Sequence, residues 1–221
     1  MLRVFASLLI LFFSSQIFAQ VKTTQVDFME LVNELIITKK NDSNLKQVWW
    51  IPNEYWDAAL NDTKYSNQEM QQQLTAVLAN YTIVSVVDIN MTLYAGMRSN
   101  EIEVSLTNVA GKTVTPIKQE GNEEVFELLE MIKPTMKSML GQFGEKMNFF
   151  AFKNIDKHGN LIAGPYQKGE LKIHVNNEDF IYKLPLAALV QKKICPTDNE
   201  MLNGNWDYCP WHGKKLINKT K

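Results

Sequence analysis

The sequence lacks an excess of charge of either sign. Its 221 residues contain 23 Lys plus Arg and 24 Asp plus Glu, for a formal net charge of -1. A near-neutral chain without a basic stripe has neither the electrostatic footprint of a nucleic-acid-binding protein nor the acidity of a solvating tail. With 10 Gly and 7 Pro, glycine and proline are too rare for a collagen-like or low-complexity chain. The composition indicates a folded globular protein without a nucleic-acid partner.

Recognisable catalytic motifs are also absent. The chain contains no glycine-rich phosphate loop, His-Glu-x-x-His, Gly-x-Ser-x-Gly or dinucleotide fingerprint. His158 falls in a polar turn and His174 on the wet side of an alternating strand, and sequence pairs neither with a serine or cysteine. Asp88 lies in an apolar strand, where exposure at the strand end or a buried polar partner would explain it. The sequence therefore favours a non-enzymatic protein over an enzyme whose site is assembled from scattered Asp, Glu and His.

A long apolar run occurs only at the N-terminus. Arg3 precedes an apolar segment at positions 4–13, and Ala19 provides a small residue for cleavage. A secretory signal peptide consists of a positively charged N-terminus, a short apolar segment and a cleavage site with small residues. The run is shorter than the about 20 residues that span a bilayer, and a retained anchor is the alternative. We expect residues 1–19 to be removed and the mature chain, beginning at Gln20, to be periplasmic or secreted without a transmembrane span.

Hydrophobic periodicity predicts an α+β main domain over residues 20–190, helical at its N-terminal end. Capping residues and helical spacing predict four helices, beginning near Asp27, Pro52, Ser66 and Asn122. Pro134 should kink or split the last of them. Alternating or β-branched segments predict strands near 81–91, 101–107, 113–115, 147–152, 171–175 and 180–184. Because several of these strands follow one another through hairpins, the sheet should be antiparallel, and a sandwich arrangement is open.

Three of the five tryptophans lie close together near the N-terminal end. With a neighbouring tyrosine they are candidate ligand-binding aromatics, namely Trp49, Trp50, Tyr55 and Trp56. Exposed rings would suit a glycan or a protein partner in the cell envelope. Large aromatic side chains dominate burial in protein cores, so the alternative is that this group packs the helical N-terminal part onto the sheet.

The only two cysteines, Cys195 and Cys209, lie in a C-terminal tail, residues 191–221. Around the second of them the chain reads Trp-Asp-Tyr-Cys-Pro-Trp-His-Gly. This segment resembles the second knuckle of the zinc ribbons that close many small bacterial proteins, in which two Cys-Pro-x-Cys knuckles follow each other. The resemblance covers residues 195–216, and it implies metal ligands at four positions: Cys195, Asp198, Cys209 and His212. Asp198 and His212 stand where the family has its second and fourth cysteines.

The tail leaves three states open. Tetrahedral zinc needs four converging ligands, which Cys, His and carboxylate side chains can supply, although this mixed set departs from the family's pattern. A disulfide between Cys195 and Cys209 needs fewer assumptions in an exported protein, and closing so short a loop is worth about 3 kcal/mol. Two unlinked thiols are the third state. Because no ligand position is left for water, the tail is predicted to be a staple or a recognition element rather than a catalytic centre.

Together these features predict an exported, non-enzymatic binding or structural module of the cell envelope with a disulfide-stapled, ribbon-like tail and no cofactor. Two alternatives stay open. One is an envelope hydrolase whose site cannot be read from sequence, and the other is a zinc-binding protein that uses the tail.

Overall fold

The structure, a computed structural model, describes residues 26–61, 68–92, 96–139 and 141–218. The predicted signal peptide, residues 1–19, and the helix-capping Ser66 lie outside this part of the chain. The described residues form four α-helices, two 3-10 helices and twelve strands, and the strand pairs are antiparallel. The predicted α+β fold with an antiparallel sheet is confirmed. None of the described helices is both long enough and apolar enough to cross a membrane.

The helices are α1 (Phe28–Leu35), α2 (Asn53–Asn61), α3 (Gln68–Leu78) and α4 (Glu123–Met139), with 3-10 turns at Gly141–Lys146 and Ala187–Leu189. The strands are β1 (Ile36–Lys40), β2 (Asn44–Ile51), β3 (Tyr81–Thr92), β4 (Gly96–Ser99), β5 (Val104–Thr107), β6 (Thr113–Val114), β7 (Asn148–Lys153), β8 (Gly169–Val175), β9 (Glu178–Leu184), β10 (Lys193–Ile194), β11 (Met201–Leu202) and β12 (Ile217–Asn218). One sheet has the order β1-β2-β3-β4 with β7 also paired to β3, a second has the order β6-β5-β8-β9, and a third has the order β11-β10-β12.

Local sequence explains where several elements begin and turn. Asp27 caps α1, because its Oδ1 accepts hydrogen bonds from the N–H groups of Met29 and Glu30, both at 3.0 Å. The β8–β9 hairpin turns at Asn176, whose φ of 55° is a left-handed conformation that asparagine tolerates better than most residues. The long helix α4 is continuous through Pro134.

The main departure from the predicted element order is a β-hairpin between α1 and α2, where helical structure was expected. β1 pairs with β2, with Ile36 opposite Trp49. β2 then runs alongside β3 from the Asn44–Asn90 pair to the Ile51–Ile83 pair. A strand inside a sheet can be apolar on both faces, which removes the alternation that would have indicated it. The N-terminal part is therefore mixed rather than helical.

One hydrophobic core joins the two larger sheets. Trp50 in β2 and Tyr182 in β9 meet edge-on with ring centroids 5.4 Å apart. The Tyr182 hydroxyl donates to the carbonyl oxygens of Leu35 and Val48 at 3.3 and 3.2 Å. Burial raises the pKa of Tyr182, so the hydroxyl stays protonated as a donor. The candidate ligand-binding aromatics are all buried in this core: Trp49, Trp50, Tyr55 and Trp56. Their rings serve packing and are not open to an external ligand.

The C-terminal strands form a small module, residues 193–218, which we call the ribbon. Its own core consists of four buried side chains: Cys195, Leu202, Cys209 and Leu216. The ribbon lies against the preceding chain, because a Cβ built on Gly204 would stand only 2.3 Å from the Gln191 carbonyl oxygen. Asn205 Nδ2 also donates to the Pro185 carbonyl oxygen at 3.2 Å. Backbone contact and hydrogen bonding therefore fix the ribbon on the rest of the fold.

Candidate metal centre

Two turns of the ribbon share one pattern of backbone hydrogen bonds. The Asn199 N–H donates to the Cys195 carbonyl oxygen at 2.9 Å, and the Gly213 N–H donates to the Cys209 carbonyl oxygen, also at 2.9 Å. Each cysteine N–H donates to the carbonyl oxygen five residues later, at 3.0 and 2.8 Å. Asn199 and Gly213 have φ values of 62° and 61°, a region that asparagine and glycine populate most readily. The two turns are therefore copies of one knuckle, each beginning at a cysteine.

Backbone N–H groups surround both sulfur atoms. Cys195 Sγ accepts hydrogen bonds from the N–H groups of Thr197 and Asp198, and Cys209 Sγ accepts from the equivalent pair in the second knuckle. Burial, together with the side chains of Asp198 and Cys209, raises the pKa of the Cys195 thiol above its usual value in spite of these bonds. At Cys209 burial is outweighed by the N–H donors together with the His212 side chain, so the pKa of this thiol lies below its usual value. Such donors stabilise the thiolate, which is the form of cysteine that binds metal.

The ring of His212 completes the cluster. Its Nδ1 atom lies 3.4 Å from Cys195 Sγ and 3.5 Å from Cys209 Sγ, and the three ligand atoms lie within 4.8 Å of one another. Both sulfurs are buried free thiols that are close together without a bond between them. Three of the four positions that the resemblance singled out therefore meet in space. The arrangement is compatible with a small metal-binding knuckle.

Asp198, the fourth of those positions, lies beside the cluster. Its Oδ2 atom is 3.6 Å from His212 Nδ1. A hydrogen bond from the Glu200 N–H, at 3.0 Å, and a second one from the Cys195 thiol hold the pKa of this carboxyl below its usual value. The carboxylate is therefore ionised at neutral pH and available as a ligand. The disulfide predicted from sequence stays a prediction, because the structure shows proximity of the thiols only.

A second polar cluster surrounds Asp88 in β3. This side chain is 1% exposed, so the expected exposure at a strand end is wrong. Its Oδ1 accepts hydrogen bonds from the Nδ2 atoms of Asn44 and Asn100 at 2.8 and 2.7 Å, and its Oδ2 from Asn176 Nδ2 at 3.1 Å. Lys46 Nζ lies 3.8 Å from Oδ2. Because both carboxylate oxygens are partnered, Asp88 connects β2 and β3 with the β8–β9 turn rather than presenting a reactive group.

This cluster carries a testable pH dependence. A hydrogen bond from Lys46, at 2.6 Å, with Lys39 at 3.5 Å, holds the pKa of Glu178 below its usual value near 4.5. A carboxylate whose pKa is lower in the folded protein than in the unfolded chain stabilises the protein at pH values above its pKa in the unfolded chain. This contribution is lost as the pH falls through the pKa that the group has in the folded protein. We expect Glu178→Gln to lower the melting temperature at neutral pH and to have little effect at strongly acidic pH. Thermal unfolding of both chains across the acid range checks this, and a pH-independent difference would contradict it.

A third arrangement links side chains of three neighbouring strands. Asp179 Oδ1 lies 2.5 Å from His174 Nδ1, and His174 Nε2 lies 2.7 Å from Thr107 Oγ1. Sequence reasoning sought a serine or cysteine partner for His174 and missed this threonine, because strand pairing alone brings them together. The order acid, base, hydroxyl resembles a hydrolytic triad. Thr107 lies in β5, between β6 and β8, and its Oγ1 also lies 2.8 Å from Thr113 Oγ1, so its hydroxyl is shared between two neighbours on the sheet.

Comparison with known proteins gives no relative for this chain. No protein-family model, no curated protein and no solved structure matches it. The resemblance to zinc ribbons therefore rests on the knuckle residues alone, and function has to be inferred from the geometry of the side chains described above.

Proposed function

We propose that the ribbon holds one zinc ion through Cys195, Asp198, Cys209 and His212, in an exported, non-enzymatic binding module of the cell envelope. The distances at His212 carry the proposal. With Zn–S near 2.3 Å and Zn–N near 2.0–2.1 Å, tetrahedral geometry separates sulfur and nitrogen ligands by about 3.5–3.6 Å. The two distances from Nδ1 to sulfur in the ribbon are 3.4 and 3.5 Å. The agreement of both distances with this spacing supports the proposal.

The fourth ligand is less closely placed. A carboxylate oxygen and a nitrogen bound to one tetrahedral zinc lie about 3.3 Å apart, and Asp198 Oδ2 lies 3.6 Å from His212 Nδ1. A small rotation of the exposed Asp198 side chain closes this difference. Zinc, when bound, supplies a closed structural centre with no position for water or substrate. The two knuckles present the sulfurs from inside and the imidazole and carboxylate from the solvent side.

The small size of the ribbon supports the proposal that it binds a metal ion. Its core has only four buried side chains, and modules this small generally need a metal or a disulfide in addition to hydrophobic burial. A disulfide between the same thiols is the second candidate, favoured by their proximity in a chain predicted to be exported. It would leave His212 without a role, although the histidine nitrogen lies at nearly equal distances from both sulfurs. Zinc accounts for all four side chains, and a disulfide accounts for two.

The test is an intact mass of the protein purified from its native compartment without reductant, chelator or added zinc, and with free thiols alkylated after unfolding. We expect a chain beginning at Gln20 with two alkylated thiols, and one zinc ion per chain in the native spectrum. A mass lower by two hydrogens without alkylation would establish the Cys195–Cys209 disulfide and contradict zinc binding. A chain beginning at Met1 would contradict signal-peptide removal.

A further inference from the structure

A pocket of about 370 Å³ lies between the N-terminal end of α2, the start of β3 and the chain segment 161–167. Its volume falls at the lower end of the range of small-molecule sites. These parts of the chain are far apart in sequence, so the tertiary fold creates the pocket. None of the described residues of the metal centre or of the Asp88 cluster lines it.

Hydrogen bonds hold the walls of this pocket in place. Gln167 Oε1 accepts from the Gly164 N–H at 3.1 Å, and the Gln167 N–H donates to the Gly164 carbonyl oxygen, also at 3.1 Å. A Cβ built on Gly164 would stand 3.1 Å from Gln167 Cγ, so the two residues pack closely. At the start of β3 the Tyr81 hydroxyl accepts from Lys153 Nζ, at 3.1 Å. A pocket whose walls are fixed in advance lowers the entropic cost of binding a ligand.

The lining combines two kinds of side chain. Apolar and aromatic surface comes from Tyr166 and Leu161 together with two prolines. Burial, with Glu54 and Asp57 nearby, raises the pKa of Tyr166 to about 12, so its hydroxyl stays protonated at neutral pH. Amide side chains, which both donate and accept hydrogen bonds, are the second kind: Asn53, Asn154 and Gln167.

Asn154 leaves an acceptor unused in the wall of the pocket. Its Nδ2 donates to the Ala79 carbonyl oxygen at 3.3 Å, which fixes the orientation of the amide. Its Oδ1 is buried and has no hydrogen-bond partner among the described residues. An unsatisfied buried acceptor is destabilising and rare in native proteins. A ligand hydroxyl that reaches this wall would supply the missing donor.

The charges in and beside the pocket disfavour ionic ligands. Among the described residues that line it Glu54 alone is charged, so an anion would meet a carboxylate and no cationic side chain. A cation would meet Lys153, whose Nζ lies 4.5 Å from the centroid of the Tyr81 ring and donates to its hydroxyl. A purely apolar ligand would bury the amide groups without partners. A neutral ligand with many hydroxyl groups and apolar C–H faces avoids all three costs.

We propose that this pocket binds a neutral sugar, with a C–H face of the sugar ring packed on Tyr166 and the hydroxyl groups paired with the amides of Asn53 and Gln167. The inference deepens the proposed function, because it names a ligand class for the binding module, and it rests on that function for the envelope setting. The zinc centre takes no part in the pocket, so the two proposals can fail separately.

The experiment is saturation-transfer NMR on the zinc-loaded mature chain, beginning at Gln20, with glucose, galactose, mannose and N-acetylglucosamine as separate probes. Tetramethylammonium and acetate serve as cationic and anionic probes. We expect transfer to the C–H protons of at least one sugar and little transfer to either ion. In a titration, Tyr166→Ala should bind that sugar at least about tenfold more weakly. The matched control is Tyr208→Ala, a 62% exposed tyrosine outside the pocket, which should bind like the unchanged chain.

A second variant, Asn53→Ala, removes one amide and should also weaken binding, and it decides the question if Tyr166→Ala does not fold. Weaker binding by these variants with the Tyr208→Ala control unchanged supports the proposal. Absence of transfer to all four sugars overturns it, as does equal binding by all variants or stronger transfer to either ion. Zinc content is measured in parallel. A zinc-free chain that binds sugar through Tyr166 contradicts the metal centre alone, and a zinc-loaded chain that binds no sugar contradicts the pocket alone.

Discussion

Replacing Cys209 with serine is expected to lower the zinc affinity of the chain by more than about a hundredfold. Substitutions of groups that only hydrogen-bond a metal ligand already cost about 10–100-fold in affinity, and Cys209→Ser removes one of the four proposed ligands itself. Cys209 is also the cysteine whose thiol pKa lies below its usual value, because hydrogen bonds from backbone N–H groups and the contact with His212 outweigh the effect of burial. Competition with a chromophoric chelator at neutral pH measures the affinity of both chains.

A graded series makes this prediction specific to the four proposed ligands. Asp198→Asn keeps a carbonyl oxygen and loses the charge, so its loss of affinity should be smaller than that of Cys209→Ser. The matched control is Asp207→Asn, an acidic residue of the same ribbon that pairs with Lys168 rather than with the cluster, and its affinity should be unchanged. If Asp198→Asn binds zinc as the Asp207→Asn control does, Asp198 is not a ligand. If Cys209→Ser also does so, the proposed centre is wrong.

Replacing Asp88 with alanine is expected to lower the free energy of unfolding by about 1–3 kcal/mol, the usual cost of leaving a buried hydrogen-bond donor without its acceptor. Lys46 has only 8% of its side chain exposed and lies 3.8 Å from the Asp88 carboxylate. Three amide groups would also lose an acceptor: Asn44 and Asn176, which keep other acceptors, and Asn100. Denaturant unfolding at neutral pH, with two-state behaviour checked by two probes, measures the change.

Two further variants identify the cause of that loss. Asp88→Asn retains an acceptor oxygen for the amides and removes the charge opposite Lys46, so it should cost less than alanine. Alanine at Asp42, an exposed acidic residue in the β1–β2 turn, should change stability by no more than about 0.5 kcal/mol. Equal losses for Asp88→Ala and Asp42→Ala would show that the buried cluster contributes nothing to stability.

Local signals predicted much of the fold. The cap at Asp27, the hairpin at Asn176 and the central apolar strand at 81–91 were all recognised from neighbouring residues, because capping, turn conformation and periodicity act over a few positions. The β1–β2 hairpin was missed for a physical reason. A strand that is apolar on both faces lacks the alternation of apolar and polar residues that marks a strand in the sequence. The pairing of β2 with β3 also depends on residues about forty positions away along the chain.

The sequence by itself determined the two knuckles of the ribbon, because the spacing from Cys195 to Asp198 and from Cys209 to His212 is local and each turn closes within six residues. Only the tertiary structure decided what those turns and the other polar groups do. It brought both sulfurs to the His212 nitrogen and buried Asp88 among amides from 12 to 88 residues away. These outcomes depend on strand register, which couples distant segments through backbone pairing and shared burial, and no short stretch of sequence specifies that coupling.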